Sequence, residues 1–199
     1  MATLTPTLTL ASSDMNGDVL NLSVTDSLSI LGQVTTKQVA TSTSPAVFAK
    51  AANYTKSYVY LKNLSATAAE IITIENLQTI SANVDSGDAT IIAVSPTTVL
   101  PAMRFGASVT GTNVPAATTV LSITNATTFE MTANATGSAD PQDITIATDE
   151  YFKLAPGEFA FFPWIAGSAA NSLSRIDLGA VAAQGTPTLE VRIYQEAAA

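Results

Sequence analysis

Hydrophobic and polar positions alternate with a period of two along most of the chain. Leu4, Leu8 and Leu10 alternate with Thr3, Thr5, Thr7 and Thr9; Leu20, Leu22 and Val24 alternate with polar neighbours; Leu28, Ile30 and Val34 keep even spacing. Residues two apart share one face of a strand, so each run predicts a strand with one face to bury. Val59 and Leu61 fall opposite Tyr58, Tyr60 and Lys62, residues 63–66 suggest a turn, and Ile72 and Ile74 follow, which predicts a hairpin. The C-terminal part repeats the style with Tyr151, Phe152 and Leu154, a turn at 155–158, a run over 159–164, and Leu189, Val191 and Ile193 alternating with Glu190, Arg192 and Tyr194. In Pro156-Gly157, Pro presets the first central φ of a type II turn and Gly supplies the positive second one. No segment shows helical periodicity, so the expected fold class is all-β and antiparallel.

Composition changes in the middle of the chain. From 77 to 148 aromatics thin out, Thr, Ala, Ser and Asn dominate, and one base, Arg104, stands against five acids. This stretch reads as an inserted small β-domain, with residues 1–76 and 149–199 together building one β-sandwich. Such an insertion is expected to leave from a loop and return close to where it left. Two consecutive domains are the alternative. Insertion is preferred because neither flank alone has enough strands to close a sandwich.

The 199 residues include no Cys and no His. A disulfide framework, thiolate or imidazole metal sites and His-dependent catalytic relays are therefore excluded. Acidic side chains outnumber basic ones, 16 to 8, and no basic cluster occurs, so the phosphate-neutralising surface of a nucleic-acid binder is missing. The N-terminus has no basic residue ahead of its apolar positions and reads as mature sequence. The longest uncharged stretch, 105–129, is rich in Thr, Asn, Gly and Pro, so no membrane span is expected. Charged residues make up only 12% of the chain, against about 25% in a typical soluble domain, and mean hydropathy is +0.30. Part of the surface is therefore expected to be buried against partners.

Candidate chemistry is sparse. Asp149 or Glu150 with Glu158 would supply the acid and nucleophile for glycosidic cleavage; the competing reading has these acids capping turns and solvating edges. Asp85-Ser86-Gly87-Asp88 offers oxygen ligands to calcium but lacks the spacing and terminal Glu of an EF-hand loop, and a plain turn is preferred. Asn-x-Ser/Thr sequons at Asn21, Asn53, Asn63, Asn125 and Asn134 are expected by chance in so Thr-rich a chain. Tyr54, Tyr58, Tyr60 and Trp164 would suit a sugar-stacking platform, which spacing does not separate from ordinary strand packing. Within 159–164, alternation sends Phe159 and Phe161 to one face and Phe162 and Trp164 to the other. One face is then core and the other a subunit interface, since Trp and Phe are enriched at interface centres. Alternatively all four share one core, with Pro163 breaking the alternation.

Two stretches resemble known proteins. The insertion contains Phe105-Gly106-Ala107-Ser108-Val109-Thr110-Gly111-Thr112-Asn113-Val114-Pro115-Ala116-Ala117-Thr118-Thr119-Val120, then Phe129-Glu130-Met131-Thr132-Ala133-Asn134-Ala135-Thr136. This is similar to a small β-module recurrent in bacteriophage structural and tail proteins, from which it departs at Ala117, where Gly is common. Tyr58-Val59-Tyr60-Leu61-Lys62-Asn63, with Leu154-Ala155-Pro156-Gly157-Glu158-Phe159 and Leu189-Glu190-Val191-Arg192-Ile193-Tyr194, resembles the jelly-roll structural proteins of tailed phages, including capsid decoration and cement proteins.

The resemblance implies a jelly-roll sandwich, a place on the capsid surface of a virion, and partnership with the major capsid protein and with itself as a homotrimer. It implies no catalysis, cofactor, metal, nucleic-acid or membrane partner. Phe162, Trp164, Tyr58, Tyr60, Leu4, Leu8 and Leu10 are the candidate interface residues. The Thr/Leu arm over 3–10 is expected to add a strand to a neighbour's open edge, Pro6 arguing against a central position. A tail or adhesin component contacting host surface glycans is the rival.

Overall fold

The computed structural model describes residues 2–12, 20–54, 56–95, 105–125, 127–165 and 177–196. Its strands are β1 (Ala2–Leu4), β2 (Thr7–Ser12), β3 (Leu20–Thr25), β4 (Leu28–Ala40), β5 (Ala46–Ala49), β6 (Lys56–Asn63), β7 (Ile72–Val84), β8 (Thr90–Ser95), β9 (Ser108–Gly111), β10 (Val120–Ile123), β11 (Thr128–Met131), β12 (Ala139–Leu154), β13 (Phe159–Ile165), β14 (Asp177–Ala182) and β15 (Thr188–Glu196). A short 3-10 turn over Ala51–Asn53 follows β5. All pairings are antiparallel.

Alternation along β6, β13 and β15 decides how the first sheet faces. Val59 and Leu61, Trp164, and Leu189, Val191 and Ile193 point to one side and are almost wholly buried. They meet Phe48 of β5, Ile72 and Ile74 of β7, Leu154 of β12 and Leu178 of β14 in one core. The outer sheet runs β1-β4-β15-β6-β13; opposite it lie β5, β14, the first half of β7 and the last part of β12. The chain is thus an antiparallel β-sandwich, each sheet burying one pleated face. Pairing within it is nested: β4 with β15, β5 with β14, β6 with β13 and β7 with β12.

The hairpin expected from β6 into β7 does not form. β6 pairs with β13 and β15, whereas β7 belongs to the opposite sheet, so the intervening segment crosses between sheets. Alternation specifies which face of a strand is buried but not its partner, and both strands bury their apolar faces into the same core. The turn before β13 takes the expected form: Gly157 has φ +82° and the Glu158 N–H donates to the Ala155 carbonyl at 3.0 Å.

The central region leaves the sandwich on two paired strands rather than from a loop. β7 and β12 pair from Ile72↔Leu154 out to Val84↔Ala139, with a register shift at Ala139/Gln142 near the outer end. Around their outer halves the order is β10-β11-β8-β7-β12-β9. A Ser108–Thr119 bridge, with Val109 N–H on the Thr118 carbonyl and Val120 N–H on the Ala107 carbonyl, both 2.9 Å, joins the two edges. Six strands therefore ring a second core that includes Ile80, Ile91, Phe129, Met131, Ile144 and Ile146. Register shifts at Ala147/Asp149 and Glu150/Phe152 each add one residue to β12. Their effects on side-chain facing cancel, which keeps Ile144 and Ile146 on the same face as Phe152 and Leu154; one bulge alone would reverse them.

At the N-terminus, β1 lines the edge of the outer sheet with Leu4 opposite Leu28. β2 and β3 then continue as a two-stranded sheet of their own, pairing Leu8 with Val24 and Leu10 with Leu22. The expected free strand is thus one arm of a hairpin.

Candidate functional site: an aromatic strip on the outer sheet

The outward side of β6 and β13 carries the main concentration of exposed aromatic surface among the described residues. Register places Phe159 beside Lys62, Phe161 beside Tyr60 and Pro163 beside Tyr58, all facing away from the core. Diagonal neighbours stack: Tyr58 on Phe161 with centroids 6.0 Å apart and planes at 11°, and Tyr60 on Phe159 at 6.1 Å and 27°. Aromatic side chains span the diagonal of an antiparallel pair, so this arrangement follows from the pleat. Phe159 remains 63% exposed, Phe161 40% and Ile165 71%. β13 is an edge strand, where Pro163 is tolerated because no further strand needs its missing N–H.

Two ion pairs flank the strip, and Lys62 stands beside Phe159. Arg192 lies 5.8 Å from the Tyr60 ring centre and is held by Glu190, with Nη2 2.6 Å and Nε 2.9 Å from Oε1. Lys56 Nζ sits 2.7 Å from Glu196 Oε2 at the end of the sheet. The hydrogen bond that Lys56 donates to Glu196 holds its ammonium above the ordinary pKa, and partial burial, followed by nearby Glu190, raises the pKa of the Tyr60 phenol. An apolar centre with a charged rim is the anatomy of a protein interface.

The expected interface residues separate into two groups. Tyr58 and Tyr60 lie on the strip, but Phe162 and Trp164 turn inward. Trp164 is 4% exposed with Tyr54 5.6 Å away, and Phe162 meets Phe152 edge-on at 5.4 Å. Trp164 is closed to a second subunit and Phe162 is half-buried against the core, whereas their alternates Phe159 and Phe161 are exposed. The sequence signal lay in β6, whose Val59 and Leu61 mark the core side and whose Tyr58, Tyr60 and Lys62 mark the wet side. The four-residue sugar platform divides likewise, with Tyr54 and Trp164 against the core and Tyr58 and Tyr60 outside. Leu4 is half-buried, while Leu8 and Leu10 are exposed on the hairpin.

Glu158 and Glu150 make local contacts. Glu158 Oε2 accepts the Ala155 N–H at 2.8 Å, closing the turn before β13. It lines an open groove of about 530 Å³ with Phe152, Lys153 and Phe159, and neither Asp149 nor Glu150 joins it there. Glu150 pairs with Lys153 at 3.2 Å and stands across the ladder from Glu75. Burial, followed by repulsion from Glu150, raises the Glu75 pKa. The side chain of Asp149 lies outside the described residues. In the 85–88 turn, Asp88 Oδ1 accepts Thr90 N–H at 3.0 Å and Thr90 Oγ1–H at 2.9 Å, which lowers its pKa. Among the described residues no three Asp or Glu side chains gather where a metal ion would be held.

Of the sequons, Asn63 is fully buried and Asn134 Nδ2 donates to the Gly87 carbonyl at 2.8 Å. Asn125 Oδ1 accepts from Thr127, Asn53 is exposed, and the Asn21 side chain is outside the described residues. No helix among the described residues is long and apolar enough to cross a membrane. Comparison of the chain with protein-family models, curated proteins and solved structures finds no match.

Proposed function

We propose that this chain is a virion structural protein of a tailed bacteriophage, a capsid decoration or cement protein that acts by adhesion and not by catalysis. The observation that carries the reading is the strip of Phe159, Phe161 and Ile165 backed by Tyr58 and Tyr60, an apolar patch rimmed by charges. Exposed apolar patches of this kind mark surfaces that bury themselves against other proteins. Two further features support it. Nested pairing of eight strands in two sheets supports a jelly-roll arrangement of the sandwich, a fold that capsid proteins use. The low charge content suits a subunit whose surface is partly covered in its working state. In this reading the major capsid protein and sister copies, assembled as a homotrimer, are the partners, and many modest apolar contacts add up through multivalency to hold the shell.

A second reading draws on the same residues. Stacked aromatics beside Arg192 also suit sugar rings, which would make the chain a tail or adhesin component binding host surface glycans. Immunogold labelling of purified particles with antibody to the chain separates the two. Label spread over the head supports decoration; label confined to the tail, with binding to host-envelope glycan, supports the adhesin; particles without label overturn both.

A further inference from the structure

Among the described residues, two of the exposed apolar surfaces fit each other. One is the aromatic strip. The other is the face of the β2–β3 hairpin made by Leu8, Leu10, Leu22 and Val24, each 42–51% exposed. A two-stranded hairpin is at best marginally stable in water without something packed on its apolar face. Neither strand carries a charged residue, in a chain whose net charge is -8. The hairpin is therefore a place where two like-charged copies meet without bringing carboxylates together.

Topology keeps the two surfaces apart within one chain. The hairpin prolongs the β1–β4 pairing, with Asp26 N–H on the Pro6 carbonyl at 3.1 Å bridging the break. The strip occupies the opposite edge of the same five-stranded sheet, four strand spacings or about 19 Å away. Six residues of extended chain carry the hairpin about 20 Å along the strand direction. Both surfaces remain open in the single chain.

We propose that the occupant of the aromatic strip is the β2–β3 hairpin of a second copy, Leu8, Leu10, Leu22 and Val24 lying across Phe159, Phe161 and Ile165. At about 200 Å² for a large apolar side chain, the exposed fractions give roughly 350 Å² on each surface. With apolar atoms forming about 57% of a typical interface, the contact totals roughly 1,200 Å², the size at which specific association begins. Because donor and acceptor surfaces differ, the contact is head-to-tail, and a closed ring follows if the rotation between copies closes. This rests on reading the strip as an assembly surface and names the partner that covers it.

The test uses the full-length chain and two variants, Leu10→Ser/Leu22→Ser in the hairpin and Phe159→Ser/Phe161→Ser in the strip. Light scattering after size exclusion is expected to show an oligomer for the wild-type chain and a monomer for each variant alone. Mixing the variants restores a one-to-one dimer, because the hairpin variant keeps its strip and the strip variant keeps its hairpin. A cysteine-free chain allows a check that survives poor folding of the serine variants. Leu22→Cys and Phe161→Cys proteins, mixed under mild oxidation, are expected to give the mixed disulfide over either homodimer. Wild-type chain that stays monomeric at high concentration, a strip variant that assembles normally, or homodimeric disulfides alone overturn the proposal. Immunogold label on the head would in each case leave the virion reading standing, so the two failures are distinguishable.

Discussion

Asn63 offers the most stringent test of how the sandwich is held. It ends β6 with a fully buried side chain. Its Nδ2 donates to the Leu154 carbonyl at 3.0 Å and the Glu70 carbonyl at 2.8 Å, and its Oδ1 accepts the Ser65 N–H at 3.0 Å. Its main chain holds the β13 turn, with N–H on the Glu158 carbonyl and C=O receiving the Gly157 N–H, both 3.0 Å. One residue thus ties the exit of β6, the approach to β7, the end of β12 in the opposite sheet, and the turn that places Phe159. Asn63→Ala removes three side-chain bonds and leaves the buried Leu154 carbonyl short of a donor. At about 0.5–1.5 kcal/mol for each of the lost bonds and about 1–3 kcal/mol for a buried group left unpaired, the expected loss is roughly 5 kcal/mol. In a chain of this size that lowers Tm by about 10–20 °C. Trp164, the only tryptophan, lies in the sandwich core and reports its unfolding by fluorescence, and the urea m-value should not change. Asn134→Ala, which removes one exposed bond beside the second core, is the control and should stay within about 0.5 kcal/mol of wild type. Equal shifts for the two variants would refute the reasoning.

Three further outcomes are expected. Glu75 has a raised pKa in the folded state, so its contribution to stability is fully present in acid and is lost as pH climbs from the ordinary carboxylate range through the raised value. Glu75→Gln should therefore raise Tm at pH 7 and give little gain at pH 4; equal gains at both, in melts across pH, would contradict the sign. Gly179→Ala would drive a Cβ into Leu77 Cδ1, and the overpacking should cost about 1–3 kcal/mol in urea unfolding. Phe129→Ala empties the middle of the second core at about 3–5 kcal/mol. Hydrogen exchange should then show β8, β10 and β11 losing protection before the sandwich strands.

Much of the sandwich was legible because period-two alternation in β6, β13 and β15 marks each buried face directly. Strand partners were not legible. β6 and β7 are neighbours in sequence and read as a hairpin, but they bury against each other across the core instead of pairing. β12 hides its period behind register shifts, so Tyr151 and Phe152 look like one more alternating run although Tyr151 is itself an extra residue without a partner position on β7. The strip was only half legible: alternation separated Phe159 and Phe161 from Phe162 and Trp164, but the enrichment of Trp and Phe at interface centres does not say which face looks outward. The hairpin had an unused signal, since Asn16-Gly17 lies between two alternating runs and is a strong hairpin turn pair.

The central claim is that the chain is a coat subunit of a virion, and its copy number tests that most directly. Quantitative mass spectrometry of purified particles, measured against the major capsid protein, is predicted to give a ratio approaching parity. A ratio of a few per cent would move the chain to the tail, and its absence from particles would contradict the account.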